Sequence, residues 1–451
     1  MALDKNELAE KPVGKLLLDY ALPAIVATTA SSLYNIIDRI FIGQGVGALA
    51  ISGLALTFPI MNLMIAFSTL VGAGAGAMVS IRMGQQRKED AIRTLGNATL
   101  LIFCIGTTVS VLALIFLDDL LRLFQASEAT LPYARDFMRI ILAGNVIGNM
   151  FFGLNGVMRS SGHPTKAMVS ILLTVGVNII LAPIFIFGFG WGIKGAALAT
   201  VIAQTIGLVW VLAHFINKKP YIHFERYGFK LSASIIKNIF AIGFSPFIIH
   251  VLASLVTVIM NWKLAFFGGD LAIGAFGIIN SFVSLIVMIV LGLTQGMQPI
   301  IGYNYGAKRM DRVFATLKIA IIAATACSLG GFILGETVPG WIARAFNNDP
   351  TLVAITVRGM RLDMAVFFLI GFQMVVSNFF QAIGRAKTAA FLSLSRQAIF
   401  LIPLLLIVPN FWGLDGVWLA AAISDAAAFA TSALVLWIFV GKVKKEYDER
   451  I

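Results

Sequence analysis

The chain has 451 residues and a formal net charge of +12, with 59% hydrophobic and only 12% charged residues. Soluble domains carry about 25% charged residues, so this composition excludes a soluble protein and predicts an integral membrane protein. The positive charge does not indicate a nucleic-acid partner, because lysine and arginine collect in the cytoplasmic loops of membrane proteins. Both cysteines, Cys104 and Cys327, fall inside apolar runs, which argues against a disulfide framework.

Twelve runs are long and apolar enough to cross a bilayer, which takes about 20 residues of helix. They lie near residues 15–42, 48–80, 94–117, 130–157, 166–187, 193–216, 234–262, 271–302, 314–337, 352–382, 388–408 and 414–440. We therefore predict an all-α integral membrane fold with twelve transmembrane helices.

The basic residues predict the orientation of these helices. With both termini in the cytoplasm, 24 of the 34 lysine and arginine residues fall in the cytoplasmic loops and tails or in the helix ends next to them. This bias predicts a multi-pass membrane protein with both termini in the cytoplasm.

The two halves of the chain repeat at a spacing of about 222 residues. GALAI (47–51) recurs as GDLAI (269–273), and WGIKGAALATVIA (191–203) recurs as WGLDGVWLAAAIS (412–424). Each half holds six spans, so both enter the membrane from the same side and a pseudo-two-fold axis runs along the membrane normal. We predict an N-lobe over residues 1–216, a cytoplasmic linker over 217–233 and a C-lobe over 234–451. Two such bundles around a cleft are typical of a transporter that alternates access between the two faces.

Asp38 stands near the outer end of the first span, in SSLYNIIDRIFIG (31–43). An aspartate at the centre of a membrane helix costs roughly 2.5–3.5 kcal/mol, so a retained one indicates function. Helical depth places Asn178 and Thr200 in the same outer half of the N-lobe, where the three side chains would hold a proton or a hard cation such as Na⁺. The alternative is that Asp38 reaches outward or pairs with Arg39. Pro23 is either a hinge of this helix or a static kink.

The C-lobe has intramembrane charges of its own. Arg396 and Asp425 lie at similar depth on neighbouring spans, so we expect an ion pair that holds the lobe together, with Asp363 as an alternative partner or a second titrating group. A further set of residues either lines a cavity or bonds between helices. This set comprises Tyr34, Met61, Met64, Asn280, Met288, Gln295, Asn378 and Gln381.

Several other activities lack their motifs. No GxxxxGK[ST] supports ATP-driven transport, and the four histidines form no HExxH pair. We predict no catalytic site, no cofactor and no metal other than Na⁺ at Asp38, and hence no enzyme. A flippase of lipids or lipid-linked precursors with the same two lobes is the main alternative, and a polytopic membrane enzyme is a third class.

Four segments together resemble one family of transporters. They are LYNIIDRIFIG with a proline fifteen residues before its aspartate, QGMQPIIGYNYGAK (295–308), SRQAIFLIPLLL (395–406) and GLDGVWLAAAISD (413–425). With the six-plus-six repeat, they resemble the MATE (multidrug and toxin extrusion) antiporters, in particular the MepA-type and DinF-like bacterial members. The resemblance implies a pump, expected to act as a monomer in the lipid bilayer. It would exchange protons or Na⁺ for hydrophobic, often cationic, drugs.

The resemblance also implies roles for individual residues. Asp38 matches the acid of the first span that couples cation and drug, and Pro23 matches the proline at which that helix bends. Asn178 and Thr200 match polar partners of the acid. The fifth span departs from the relatives' NxxxDP and reads NIILAP, so that Ala182 stands where a second acid would be. This loss of a ligand favours protons over Na⁺.

Overall fold

The computed structural model describes residues 5–46, 48–123, 128, 130–346 and 349–448. Within them, eleven helices are long and apolar enough to cross a membrane, and a bent pair of helices supplies a twelfth span. The predicted all-α membrane fold with two lobes of six spans is confirmed.

The first six spans form the N-lobe. They are Val13–Gly45, Ala48–Gly84, Lys88–Ile115, Leu131–Ser160, Pro164–Pro183 and Gly192–Ile216. A π-helical turn, Ile184–Gly188, continues span 5. Span 1 runs as one helix through Pro23, so a hinge at this proline stays a prediction.

The last six spans form the C-lobe. Spans 7, 8, 9, 11 and 12 are Ala233–Gly269, Leu271–Gly306, Met310–Thr337, Ala386–Ile407 and Pro409–Val443. Span 10 consists of Pro350–Asp363 and Phe367–Ala382, bent by 47°. Gly269 has φ +68, a left-handed conformation that glycine adopts without strain and that allows span 7 to turn directly into span 8. The lobe boundaries at 216 and 234 stay a prediction.

Three short helices were not expected from the apolar pattern. Leu117–Leu123 follows span 3, Pro339–Phe346 follows span 9, and Lys5–Glu10 precedes span 1. Each is too short to show a helical period clearly. The first two begin at repeat-related positions, so the internal repeat extends to elements that hydropathy does not reveal.

The contact between spans 2 and 8 follows the pseudo-two-fold axis. Gly84 lies against the carbonyl oxygen of Tyr303, and Gly306 lies against the carbonyl oxygen of Ile81. The repeat maps the first pair of residues onto the second. The axis therefore passes between the ends of these two helices.

The lobes close together at one membrane face, which we call the basic face. It is the face that carries the segments 85–87, 161–163, 217–232, 307–309 and 383–385. Near it Gly74 packs on the backbone of Ile239. At mid-depth Asn62 Nδ2 donates to Ser254 Oγ over 3.3 Å. The structure is therefore closed from the middle of the membrane to the basic face.

We predict that Gly306→Ala lowers the thermal unfolding midpoint of the purified protein. Its Cβ would overlap the carbonyl oxygen of Ile81, and overpacking of this kind costs about 1–3 kcal/mol. Gly330→Ala is the control, because no heavy atom lies within 4 Å of an added Cβ there. Equal stability of the two variants would contradict the close contact of the lobes.

Candidate functional site in the N-lobe

Three polar side chains meet where three spans of the N-lobe come together. Tyr34 belongs to span 1, Asn178 to span 5 and Thr200 to span 6. The hydroxyl oxygens of Tyr34 and Thr200 are 3.0 Å apart. Asn178 Nδ2 donates to Thr200 Oγ1 over 3.1 Å and to Tyr34 Oη over 3.4 Å. We call these three residues the polar cluster.

Small side chains allow the spans to approach each other here. Ala182 of span 5 and Ala196, Ala197 and Ala199 of span 6 are fully buried. Membrane helices pack closely where such residues face one another. The local sequence of spans 5 and 6 thus brings Asn178 next to Thr200.

The hydrogens of the polar cluster are used in bonds within it and to the backbone of Ala196. Thr200 Oγ1 donates to the carbonyl oxygen of Ala196 over 3.1 Å, so its hydroxyl oxygen accepts from Tyr34 and Asn178. An asparagine side chain also has a carbonyl oxygen that accepts hydrogen bonds. In the described residues, the bonds of the Asn178 side chain are donated by its nitrogen Nδ2. The cluster therefore offers oxygen acceptors, which suit a proton or a cation.

Asp38 lies one helical turn after Tyr34 on span 1 and is only 8% exposed. Side chains four residues apart share one face of a helix, so the carboxylate lies on the side of span 1 that carries Tyr34. A carboxylate held away from water is stabilised by binding a proton or a cation. The side chain of Arg39, its alternative partner, lies outside the described part of the structure.

Ala182 is apolar, and the side chains around it are apolar too. Ala182 belongs to a hydrophobic cluster that includes Ile42 and Ile186. In the described residues, no three His, Cys, Asp or Glu side chains come together as a metal site. Asp38 is therefore the one acid that the sequence and the described structure offer beside the polar cluster.

In the C-lobe, Arg396 Nε donates to Asp425 Oδ1 over 2.8 Å. This resolves the choice of partner that the sequence leaves open. Arg396 lies in a π-helical turn, Ser395–Leu401, and Ser424 Oγ donates to its carbonyl oxygen over 2.7 Å. Asp363 ends the first half of the bent span 10 and lies within electrostatic range of both charges.

The candidate cavity residues lie in different surroundings. Among them, Tyr34 belongs to the polar cluster. Met64 and Gln381 are buried, Asn280 is exposed, and Met61, Met288, Gln295 and Asn378 are half-buried. Asn378 Nδ2 donates to the carbonyl oxygen of Met374 in its own helix over 2.9 Å. A role for these residues in a drug cavity stays a prediction.

The structure brings together two histidines that no sequence motif connects. The rings of His163 and His214 are 4.4 Å apart, and both side chains are buried. Burial, together with the charge of Lys166, lowers the pKa of His163, which precedes span 5, to about 4. A histidine with this pKa is neutral at pH 7, so His163 is not a proton carrier near neutrality.

The chain matches the profile of the MatE family over residues 23–184 and again over residues 246–407. The chain belongs to the MatE family. The two matches fall in the N-lobe and in the C-lobe, so the repeat within this MatE chain is a repeat of the family unit.

Curated relatives of this MatE chain match along nearly its whole length. The multidrug export protein MepA of Staphylococcus haemolyticus (strain JCSC1435) is 28% identical over 434 residues, or 94% of each chain. MepA of Staphylococcus aureus (strain N315) is 27% identical over 448 residues, which cover 98% of this chain and 97% of the relative. The resemblance that the sequence motifs indicate is confirmed.

Solved structures share the MatE fold. The MATE multidrug transporter DinF-BH is 35% identical, with a TM-score of 0.89 over 97% of both chains. A MOP superfamily transporter from Pyrococcus furiosus, with a binding pocket described as reversed in polarity, has a TM-score of 0.92. It is 23% identical over 98% of this chain and 99% of its own. This second likeness concerns the fold alone.

Proposed function

We propose that this protein is a secondary active exporter of hydrophobic, often cationic, organic compounds, which it exchanges for protons. The observation that carries the proposal is the buried carboxylate of Asp38, one turn from a polar cluster whose hydrogens are engaged. Family membership and relatives named as multidrug export proteins support it. The absence of a second acid at Ala182 favours protons over Na⁺.

We assign the basic face to the cytoplasm of a bacterial inner membrane, following the positive-inside bias. Both chain termini are then cytoplasmic. Because the lobes close at this face, we infer that the protein is in an outward-facing state. In that state Asp38, near the outer end of span 1, is placed to receive a proton from outside.

Transport then follows from competition between proton and drug for this outward-facing state. Protonation removes the charge of Asp38 and changes how span 1 packs against spans 5 and 6, with Pro23 as the proposed hinge. The bound drug is released outward as span 1 rearranges. The lobes next open inward, the proton leaves to the cytoplasm and another drug molecule binds.

The driving force depends on the charge of the drug. One proton entering in exchange for an uncharged drug yields about 2.3 kcal/mol per 100 mV. For a monovalent cation exchanged one for one, the charges cancel and only the pH difference drives export, about tenfold per pH unit. Cationic substrates are therefore expected to depend on the pH gradient alone.

Transport by proteoliposomes under separately imposed gradients tests the proposal. A cationic dye should accumulate in the vesicles when only a proton gradient is imposed. Nigericin should stop this accumulation, while valinomycin with potassium should not. A matched Na⁺ gradient alone should have no effect. Transport driven by Na⁺ and insensitive to the pH gradient would overturn proton coupling.

The flippase alternative is tested in the same vesicles with a fluorescent phospholipid. Flippases often carry a basic cavity, whereas the basic residues assigned here lie mainly in cytoplasmic loops, with Arg396 as the exception. The Arg396 guanidinium pairs with the Asp425 carboxylate, so its charge is compensated within the C-lobe. We expect drug transport without lipid translocation.

We predict that Thr200→Ala lowers proton-driven efflux and that Thr200→Ser restores it. The alanine removes the oxygen that accepts from Tyr34 and Asn178, at about 1 kcal/mol for each net hydrogen bond. Serine keeps the hydroxyl. The initial efflux rate at equal protein level is the measurement, and equal rates for both variants would contradict a role for the polar cluster.

A further inference from the structure

The N-terminal helix Lys5–Glu10 lies across the seam between the lobes at the basic face. Leu8 is 3% exposed and belongs to a hydrophobic cluster that contains Ile300 and Val313 of the C-lobe. Lys11 pairs with Asp19 of span 1 over 2.6 Å, which ties the segment to the N-lobe. A movement of the N-lobe away from the C-lobe would therefore carry this helix with it.

Arg312 of the C-lobe holds the end of this helix. Its side chain lies in the first turn of span 9, and the residue is 9% exposed. One terminal nitrogen, Nη2, donates to the carbonyl oxygens of Leu8 and Lys11, over 3.2 Å and 2.7 Å. Carbonyls at the end of a helix have no partner within it. The Arg312 guanidinium supplies that partner from the opposite lobe.

Asn304, at the end of span 8, fixes the direction of this arginine. Its Oδ1 accepts from Arg312 Nε over 3.1 Å, and its Nδ2 donates to the Leu8 carbonyl oxygen over 3.3 Å. The guanidinium is thus bonded to carbonyl and amide oxygens, and the neighbouring Asp311 pairs instead with Arg309. A buried charge is costly without its hydrogen bonds, so separating the lobes requires new partners for Arg312.

Comparison with the other half of the repeat indicates that a helix starts at this position without an arginine. The equivalent position at the start of span 3 is Asp90, which pairs with Arg87 of its own loop over 2.7 Å. The position equivalent to Asn304 is Arg82, which donates to Gln85 nearby. The bonds across the seam are therefore a feature of the C-lobe alone.

We infer that Arg312 and the N-terminal helix form a latch that holds the cytoplasmic face closed and sets the balance between outward- and inward-facing states. The inference rests on the proposed function, because it assumes that the lobes separate at this face. Arg312 acts as a positioning residue, through its bonds to Asn304, Leu8 and Lys11. It changes the rate of transport by changing the population of the closed state.

The test measures lobe separation directly. Spin labels on cysteines at the exposed positions Glu89 and Lys387, in a chain with Cys104 and Cys327 replaced by serine, report the distance across the cytoplasmic face. Arg312→Ala and a chain lacking residues 2–11 should each raise the longer-distance population about tenfold, as expected for one hydrogen bond to a charged group. The two changes combined should give no further increase in the longer-distance population, because each of them removes the same interaction.

Arg309→Ala is the matched control, since Arg309 is exposed and pairs only within its own turn. It should leave the distances unchanged, and Arg312→Lys should restore most of the closed state by donating to one carbonyl. Equal distances for Arg312→Ala and Arg309→Ala, or additive effects of Arg312→Ala and the truncation, would overturn the latch. If Arg312→Ala does not fold, the test uses Asn304→Ala and the truncation instead. Unchanged spin-label distances in both of these variants would overturn the latch.

Dye efflux by the unmodified chain separates this inference from the proposed function. If the unmodified chain exports no dye and yet Arg312→Ala opens the cytoplasmic face, the latch holds and the proposed substrate or ion is wrong. If dye is exported and the distances do not respond to Arg312, the latch is wrong and the proposed function stands.

Discussion

Asp38→Asn is expected to abolish proton-driven drug efflux while leaving a folded protein in the membrane. Asparagine has nearly the same shape as aspartate but does not bind and release a proton. The neutral amide resembles the protonated acid, so the variant would stay in the arrangement from which drug is released and would not complete the exchange. Drug resistance of cells lacking other pumps, measured at equal expression, should fall to the level of cells without the protein.

Two further variants define what this result means. Asp136→Asn removes an acid of the same lobe that pairs with Lys194 on the surface, over 3.2 Å, and should leave efflux intact. Asp38→Glu keeps an ionisable group and should retain part of the activity. Normal resistance in cells carrying Asp38→Asn would rule out this residue as the coupling group.

Drug binding by purified Asp38→Asn separates coupling from recognition. Loss of the acid removes a competing proton, so drug affinity should no longer decrease as the pH is lowered. The unmodified protein should bind drug more weakly at acid pH, since proton and drug compete. A pH-dependent affinity that persists in the variant would place the competing proton elsewhere.

The N-lobe site shows which parts of the geometry a sequence can predict. Depth counted along the helices was enough to place Asn178 near Thr200, because spans 5 and 6 are continuous helices of known rise at these positions. It did not identify Tyr34 as their partner, since the direction of a side chain around a helix depends on packing that hydropathy does not encode. The apolar pattern predicted the spans well for the same reason.

The sequence did not reveal the short helices or the bend of span 10. The N-terminal helix Lys5–Glu10 has six residues, fewer than two turns, and its stability comes from Leu8 and Arg312 rather than from its own sequence. The bend of span 10 after Asp363 has no proline or glycine at the break, so the sequence does not predict it. Tertiary contacts decide both features.

The repeat also shows where the two lobes have diverged. Asp136 and Lys194 pair between spans 4 and 6 of the N-lobe. Arg358 and Asp415 form the corresponding pair of the C-lobe, with the charges exchanged. Both lobes therefore have an ion pair at this place, but the acidic and the basic residue have exchanged positions. The proposed coupling acid, by contrast, has no counterpart, because the segment of span 7 that aligns with Asp38 is Met260–Asn261.

Asp425→Asn is expected to destabilise the C-lobe by about 3 kcal/mol, at the lower end of what loss of one partner of a buried ion pair costs. Asp425 is nearly buried, while the Arg396 side chain keeps 29% of its exposure, which moderates the loss. The variant leaves a guanidinium in the membrane without its carboxylate. Thermal unfolding in detergent should show a clear decrease in midpoint relative to the unmodified protein.

The double variant Arg396→Gln, Asp425→Asn tests whether this ion pair serves stability alone or is also needed for transport. Replacing both charges by neutral groups of similar shape is often close to neutral for stability, so the unfolding midpoint should recover. Asp415→Asn, in the exposed pair with Arg358, should change stability by less than about 1 kcal/mol. We expect the double variant to pump, because proton coupling is assigned to Asp38. A folded double variant without efflux would instead place a second essential charge in the C-lobe.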